Sequence, residues 1–176
     1  MRIEITERSE AFYSELISVA AQIKKIKEHP ERKLKDVFKT YIMLWIVEIV
    51  LLVLGALMGF FWGFDKTVTI VIVLAIIGIV FSCIYLYILI KTKNSYVKDD
   101  KDSVFTIDEK GVALDKPNNL LIQCSFESMD FVRLYDELLA FIPKETGGVI
   151  IAIPRKYAEE VLQYIADKDI KVRVYS

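Results

Sequence analysis

A membrane α-helical hairpin followed by a small α+β domain is the fold class that the sequence predicts, on three observations. Two apolar runs, Ile42–Phe64 and Val68–Ile90, follow one another and contain a single charged residue, Glu48. Every other Asp, Glu, Lys and Arg of the 176-residue chain lies outside them. Beyond residue 102 the texture changes to short alternating or apolar runs separated by turn residues, the pattern of an antiparallel sheet.

Each run has 23 residues. A helix of that length, at about 1.5 Å per residue, measures roughly 34 Å and can cross a hydrocarbon core of about 30 Å. Asp65-Lys66-Thr67 leaves room only for a tight turn between them. Lipid offers the backbone no hydrogen bonds, so each run is expected to be helical and the pair to form an antiparallel hairpin. Lys24, Lys25, Lys27, Arg32, Lys33, Lys35 and Lys39 precede the first run, and Lys91, Lys93, Lys98 and Lys101 follow the second. The turn has only Lys66, offset by Asp65. Lys and Arg at membrane ends stay cytoplasmic, which predicts both termini in the cytoplasm and an inner or plasma membrane location. Tyr41, Trp45, Trp62, Tyr85 and Tyr87 sit toward the run ends, where amphipathic rings favour the interface. No short apolar stretch with a small-residue cleavage site precedes the first run, so a removable signal peptide is not expected.

In residues 1–40, Phe12, Leu16, Val19, Ala20, Ile23 and Ile26 recur at spacings of three and four, which predicts a helix over Ser9–Glu28. Thr6 or Ser9 suits its start and His29-Pro30 its end. His29, the only histidine, has no metal-site partners in the pattern. A second helix is expected from Glu31 to Thr40, with Pro30 at its first turn, running into the first span. The amphipathic segment either lies on the anionic inner leaflet, through Lys24, Lys25 and Lys27, or packs its apolar stripe on the C-terminal domain or a second copy.

Within the hairpin, Gly55, Gly59 and Gly63 stand four residues apart, with Gly78 and Ser82 forming a lesser small-residue pair on the second run. Small residues let helix backbones approach closely, so these glycines are expected to pack the hairpin itself or a homodimer. Glu48 lies about two turns inside the first run, and an ionisable residue there is costly. Folding the hairpin about residues 65 and 66 brings Ser82 and Cys83 to its depth. A carboxyl anchored by Ser82 is the structural expectation. A proton or ion pathway would need further polar residues along the helices.

The C-terminal part predicts strands over Ser103–Ile107, Val112–Asp115, Leu120–Phe126, Phe131–Tyr135, Leu138–Ile142 and Val149–Ile153, with turns at 108–111, 116–119 and 144–148. Pro154 opens an amphipathic helix through Asp167, with Tyr157, Val161, Leu162, Tyr164 and Ile165 inward. Lys171–Val174 alternates as an edge strand, and Arg2–Ile5 alternates similarly, so the two ends are candidates to pair. The expected organisation is a cytoplasmic amphipathic helical segment at 1–40, the transmembrane hairpin at 41–90, a charged linker at 91–102 and the cytoplasmic α+β domain at 103–176.

The order of these pieces, with Phe105-Thr-Ile-Asp-Glu-Lys-Gly-Val112, Met129-Asp-Phe-Val-Arg-Leu-Tyr135 and Gly148-Val-Ile-Ile-Ala-Ile-Pro-Arg-Lys-Tyr157, resembles the YcxB-like family of bacterial membrane proteins over roughly residues 41–168. The Ile-Pro-Arg-Lys-Tyr step is the most telling part. A tryptophan common in that family near the end of the third strand is replaced by Phe126. The resemblance implies that the C-terminal domain is a small pleckstrin-homology-like (PH-like) partial barrel closed by a helix. It implies an architecture and no activity.

Composition narrows the function. A formal net charge of -1 gives no basic or acidic bias toward nucleic acid. Cys83 in the second run and Cys124 in the C-terminal domain are poor disulfide partners, which fits a reducing cytoplasm. Neither cysteine has a histidine near it, and no P-loop, G-x-G-x-x-G or metal-ligand cluster occurs, so no catalytic residue, metal or cofactor is expected. The expected function is a membrane-anchored binding module, with the bilayer and a protein or second copy as partners. Lys144, Arg155 and Lys156 form its candidate ligand or headgroup contact. The alternative is a small immunity protein whose hairpin meets a membrane-active toxin through the Gly55, Gly59 and Gly63 stripe.

Overall fold

The computed structural model describes residues 1–99, 102–116, 120–145 and 147–176. Residues 100–101 of the expected linker, residues 117–119 of one expected turn and Thr146 of another lie outside them. The chain forms two compact units, Met1–Leu34 with Lys93–Ser176, and Lys35–Thr92. The hairpin is therefore an insertion within a domain that draws on both of its flanks.

Helix α3 spans Val37–Trp62 and α4 spans Lys66–Asp99. At about 1.5 Å per residue both are long enough to cross a membrane, and both are apolar enough to do so. The helix expected to begin at Glu31 begins instead at Val37, because Asp36 is the better start: its carboxylate accepts the Lys39 amide at 3.1 Å, and such a cap satisfies an otherwise orphaned donor. Residues 91–99, expected as linker, continue α4. They include neither Gly nor Pro, so nothing in them breaks a helix.

Between the helices the connection is Gly63–Asp65. Gly63 ends α3 at φ 93°, a region that L side chains avoid. Asp65 starts α4 by accepting the Val68 amide at 2.8 Å. Along α4, Val68, Ala75, Ser82 and Leu89 are buried. That seven-residue recurrence places one narrow seam against the partner helix, the geometry of left-handed pairs. The rings of Tyr41 and Tyr85 stack with centroids 5.0 Å apart. Most other apolar side chains of both helices are exposed, Phe60 and Trp62 at 80%.

The first unit contains β1 (Arg2–Ile5), α1 (Glu10–Ala21), α2 (Ile23–Glu28), β2 (Ser103–Ile107), β3 (Gly111–Lys116), β4 (Leu120–Ser125), β5 (Met129–Leu134), β6 (Leu138–Pro143), β7 (Ile151–Pro154), α5 (Ala158–Asp167) and β8 (Arg173–Tyr175). They form two four-stranded sheets, ordered β1-β2-β3-β4 and β7-β6-β5-β8. All pairings are antiparallel except β5 with β8. The two chain ends do not pair with each other: β1 adds to β2, and β8 runs parallel to β5. Ile3 and Ile5 explain the choice, since this register turns both into the core beside Phe105 and Ile107.

Two apolar layers result. One lies between the sheets under α5 and includes Phe105, Leu139, Phe141, Ile153 and Val161. The other lies on the far face of the second sheet, where Phe131, Leu138, Ala140 and Ile142 meet Phe12, Val19 and Ile26 of α1 and α2. Strand β6 is covered on both faces, which is why Leu138–Ile142 reads as a continuous apolar run and not as an alternation. Of the readings open for the N-terminal helix, packing on the sheet domain is the one observed. Ser9 caps α1, accepting the Phe12 amide at 3.0 Å, and His29 ends α2, its N–H donating to Lys25 O at 3.0 Å. Asp108 shapes the β2–β3 turn by accepting the Lys110 and Gly111 amides, which hold its carboxyl below the usual range.

Candidate functional site

The polar pair of the hairpin comes together. Ser82 Oγ donates to Glu48 Oε2 at 2.9 Å. A Cβ at Gly78 would lie 2.7 Å from Glu48 Oε1, so Gly78 leaves the space that the carboxyl occupies. Gly78 and Ser82 lie one turn apart on α4, so one leaves room for the carboxyl and the other gives Oε2 a donor.

The glycine stripe does not act as one surface. A Cβ at Gly55 would lie 2.9 Å from Ile72 Cγ1 of α4, so Gly55 sits at the helix–helix contact. Gly59 instead seats the ring of Phe64. Gly63, expected to pack, has no atom within 4 Å of a Cβ position and serves as the helix-ending residue at positive φ. Four-residue spacing aligns glycines on a helix, but the helix ends at Trp62, before the third could join the face.

Lys144, Arg155 and Lys156 likewise separate. Arg155 Nη1 donates to Tyr135 O at 3.0 Å, and its backbone amide to Glu137 O at 2.9 Å. Lys144 follows the opposite end of β6 and donates through Nζ to Glu127 O at 2.6 Å. The whole strand stands between them, roughly 20 Å at about 3.4 Å per residue. Arg155 and Lys156 line one cavity of about 550 Å³ with Arg8, Glu7 and Glu137. Lys144 lines another of about 550 Å³ where Lys168, Lys171 and Arg173 alternate with Glu109, Glu127, Asp130 and Asp169. Each cavity mixes both signs, so neither is a cationic pocket. Lys156 Nζ lies 4.9 Å from the Tyr157 ring centroid.

A third polar group is not evident in the sequence pattern. Arg133 is only 8% exposed. Its Nη2 donates to Arg32 O at 2.8 Å, while Nε and Nη1 are buried without a hydrogen-bond partner among the described residues. The guanidinium carbon lies 4.8 Å from the Tyr135 ring centroid, and the Tyr135 hydroxyl is also buried without a partner. Burial pushes that hydroxyl up to about 12, against the opposing effect of Arg133. Nearby, Glu15 of α1 accepts the Asp136 amide at 3.2 Å and the Glu137 amide at 2.7 Å, holding the β5–β6 turn. Burial raises its pKa in spite of those two bonds. The signal for Arg133 was its place between Phe131 and Tyr135 on one strand face, but a charged residue in an alternating strand is ordinarily read as solvent-facing.

Among the described residues no group of three His, Cys, Asp or Glu side chains could hold a metal ion. No family model, curated protein or solved structure matches the chain.

Proposed function

We propose that this chain is a membrane-anchored binding module without catalytic activity, whose two-sheet domain is of the PH-like kind suggested by its YcxB-like sequence features. The observation that carries the reading is the insertion of the apolar hairpin between β1 and β2, two adjacent strands of one sheet. A domain assembled from both flanks requires both to lie on the same side of a bilayer that the hairpin enters and leaves. The Lys-rich flanks support the cytoplasm as that side. The exposed apolar surface of α3 and α4 exceeds what a water-facing surface carries, and a bilayer is its natural cover.

Residue-by-residue cysteine labelling in intact cells and in opened membranes tests this. With Cys83 and Cys124 replaced by Ser, probes at residues 7 and 176 should react only after the membrane is opened. A probe at residue 65 should react from outside. Exterior labelling of residue 176 in intact cells would overturn the reading. The immunity alternative has no specific support here, because Gly55 meets Ile72, Gly59 seats Phe64 and Gly63 ends α3, so the three share no common face.

A further inference from the structure

We infer that β4 is a homodimerisation edge, along which a second copy of the chain adds its own β4 antiparallel about a two-fold axis at Gln123. A sheet edge offers unpaired backbone N–H and C=O groups to any extended chain, and proteins normally blunt it with charge, proline, brevity or cover. Three edges of this domain are blunted. Strand β1 carries Arg2 and Glu4, and the Tyr157 hydroxyl donates to Glu4 O at 3.3 Å. Strand β7 is buried throughout and ends in Pro154. Strand β8 has three residues and begins with Arg173.

Strand β4 has neither the charge, the proline nor the brevity that blunts the others. Its six residues, Leu-Leu-Ile-Gln-Cys-Ser, include no charge and no proline. Among the described residues, Leu121–Cys124 make backbone hydrogen bonds only in the ladder with β3. Leu121 is 55% exposed. Outward-facing Gln123 and Ser125 line a cavity of about 250 Å³ with Thr106, Ala113, Asp108 and Lys110.

A second copy fits this edge by its own chemistry. An uncharged strand meets no like-charge opposition from itself, and antiparallel pairing about a two-fold axis closes, so that both edges are satisfied and no fibre propagates. The pleat restricts the register to axes centred on a residue, and Gln123 is the middle of the outward-facing Leu121, Gln123 and Ser125. Leu121, Gln123 and Ser125 face outward while Ile122 and Cys124 pack against the core, and residues directly opposite one another must share a face. A two-fold axis at Gln123 meets that condition. It pairs Ile122 with Cys124, brings the two Gln123 carboxamides together, and lays Leu121 against Ser125 of the second copy, at the cavity wall.

The test is cysteine trapping of the full chain in native membranes, in a background with Cys83→Ser and Cys124→Ser. Gln123→Cys should cross-link to dimer under mild oxidation, since paired Cα atoms in such a ladder fall within disulfide reach. Leu121→Cys alone should not, being about 14 Å from its symmetry mate at about 3.4 Å per residue, whereas co-expressed Leu121→Cys and Ser125→Cys chains should trap together. Adding Leu121→Lys to Gln123→Cys should lower the trapped fraction several-fold while the domain's thermal unfolding stays unchanged. Absence of dimer with Gln123→Cys in folded, inserted protein overturns the inference. Trapping through Leu121→Cys alone overturns the register. Trapping that survives Leu121→Lys undiminished shows chance collision in the membrane and also overturns it. None of these outcomes bears on the topology, so a failure here leaves the anchored-module reading standing.

Discussion

Glu48 and Ser82 meet across the hairpin, Ser82 Oγ donating to Glu48 Oε2 at 2.9 Å although 34 residues separate them. The carboxyl fits because Gly78, one turn before Ser82, has no side chain to fill its place. Glu48→Gln keeps an acceptor for Ser82, so insertion and level should be retained and stability should fall by about 1 kcal/mol or less. Gly78→Leu should cost more than Glu48→Leu, because it drives bulk into the occupied carboxyl. Thermal unfolding of the purified protein in detergent distinguishes these. Inserted Glu48→Gln protein with normal stability but no cellular function would show that the charge or proton itself is needed.

Gly63 and Gly59 should respond differently to substitution, although both belong to the same sequence stripe. Gly63→Ala should destabilise the hairpin by about 1–3 kcal/mol, from the positive φ alone. Gly59→Ile must displace the Phe64 ring but leaves the α3–α4 seam intact, so the helix pair should persist. Interhelical cysteine cross-linking between positions 55 and 72 should therefore survive Gly59→Ile. Its loss would show that Gly59 is part of the helix contact.

The strands were legible in the sequence where a short alternating or continuous apolar run was bounded by turn residues. Ser103–Ile107 and Leu138–Ile142 were expected within a residue of where β2 and β6 lie. Strand partners were less legible, because Arg2–Ile5 alternates equally well toward any edge; only the shared burial of Ile3, Ile5, Phe105 and Ile107 selects β2. The hairpin's polar pair could be read because helix geometry converts residue numbers into depth. The basic cluster could not, since a spacing of eleven residues between Lys144 and Arg155 says nothing of the strand that separates them. Arg133 was hidden for a different reason: its burial is imposed by α1, α2 and the chain at Arg32, far away in sequence.

Arg133 carries a positive charge into an apolar layer with two of its nitrogens unpartnered among the described residues. Replacing such a group with an apolar side chain of similar volume is often neutral or stabilising. Arg133→Met should therefore unfold at the same or a higher temperature than the parent chain, while Arg133→Ala, which leaves a cavity, should lose about 1–3 kcal/mol. The bond to Arg32 O is lost in both, so proteolysis within residues 30–36 should quicken in both. A Met variant destabilised as much as the Ala variant would show that the guanidinium is stabilising where it lies.

Glu15 makes stability depend on acid pH in a predictable direction. Its pKa is raised above 4.5 in the fold, so the folded state binds a proton more readily than the unfolded one. The stabilisation linked to that proton is complete below about pH 4.5 and is lost as pH rises through the raised folded value. Glu15→Gln removes this dependence and one of the two amide acceptors, costing about 1 kcal/mol at pH 7. The difference in melting temperature between the parent chain and Glu15→Gln, followed from pH 4 to 7 in one buffer series, isolates the group from other carboxylates. A parent chain that gains on Glu15→Gln as pH rises would contradict the sign.

Exchange of the hairpin locates the surface that matters in the cell. A hairpin that only anchors can be replaced, since any helix pair of adequate length and flanking charge meets the bilayer's demands. A hairpin that recognises a partner cannot, because close approach depends on small residues at particular positions. The domain sets one constraint of its own, that β1 and β2 be delivered to the same side, and every two-span hairpin satisfies it. Replacing residues 41–90 with an unrelated two-span hairpin should therefore retain complementation of a strain lacking the chain. Leu121→Lys, which alters only the β4 edge, should impair complementation if the paired sheet is the working surface. If the exchanged hairpin inserts at normal level yet fails to complement, while Leu121→Lys complements fully, recognition lies in the membrane helices and the sheet domain is their scaffold.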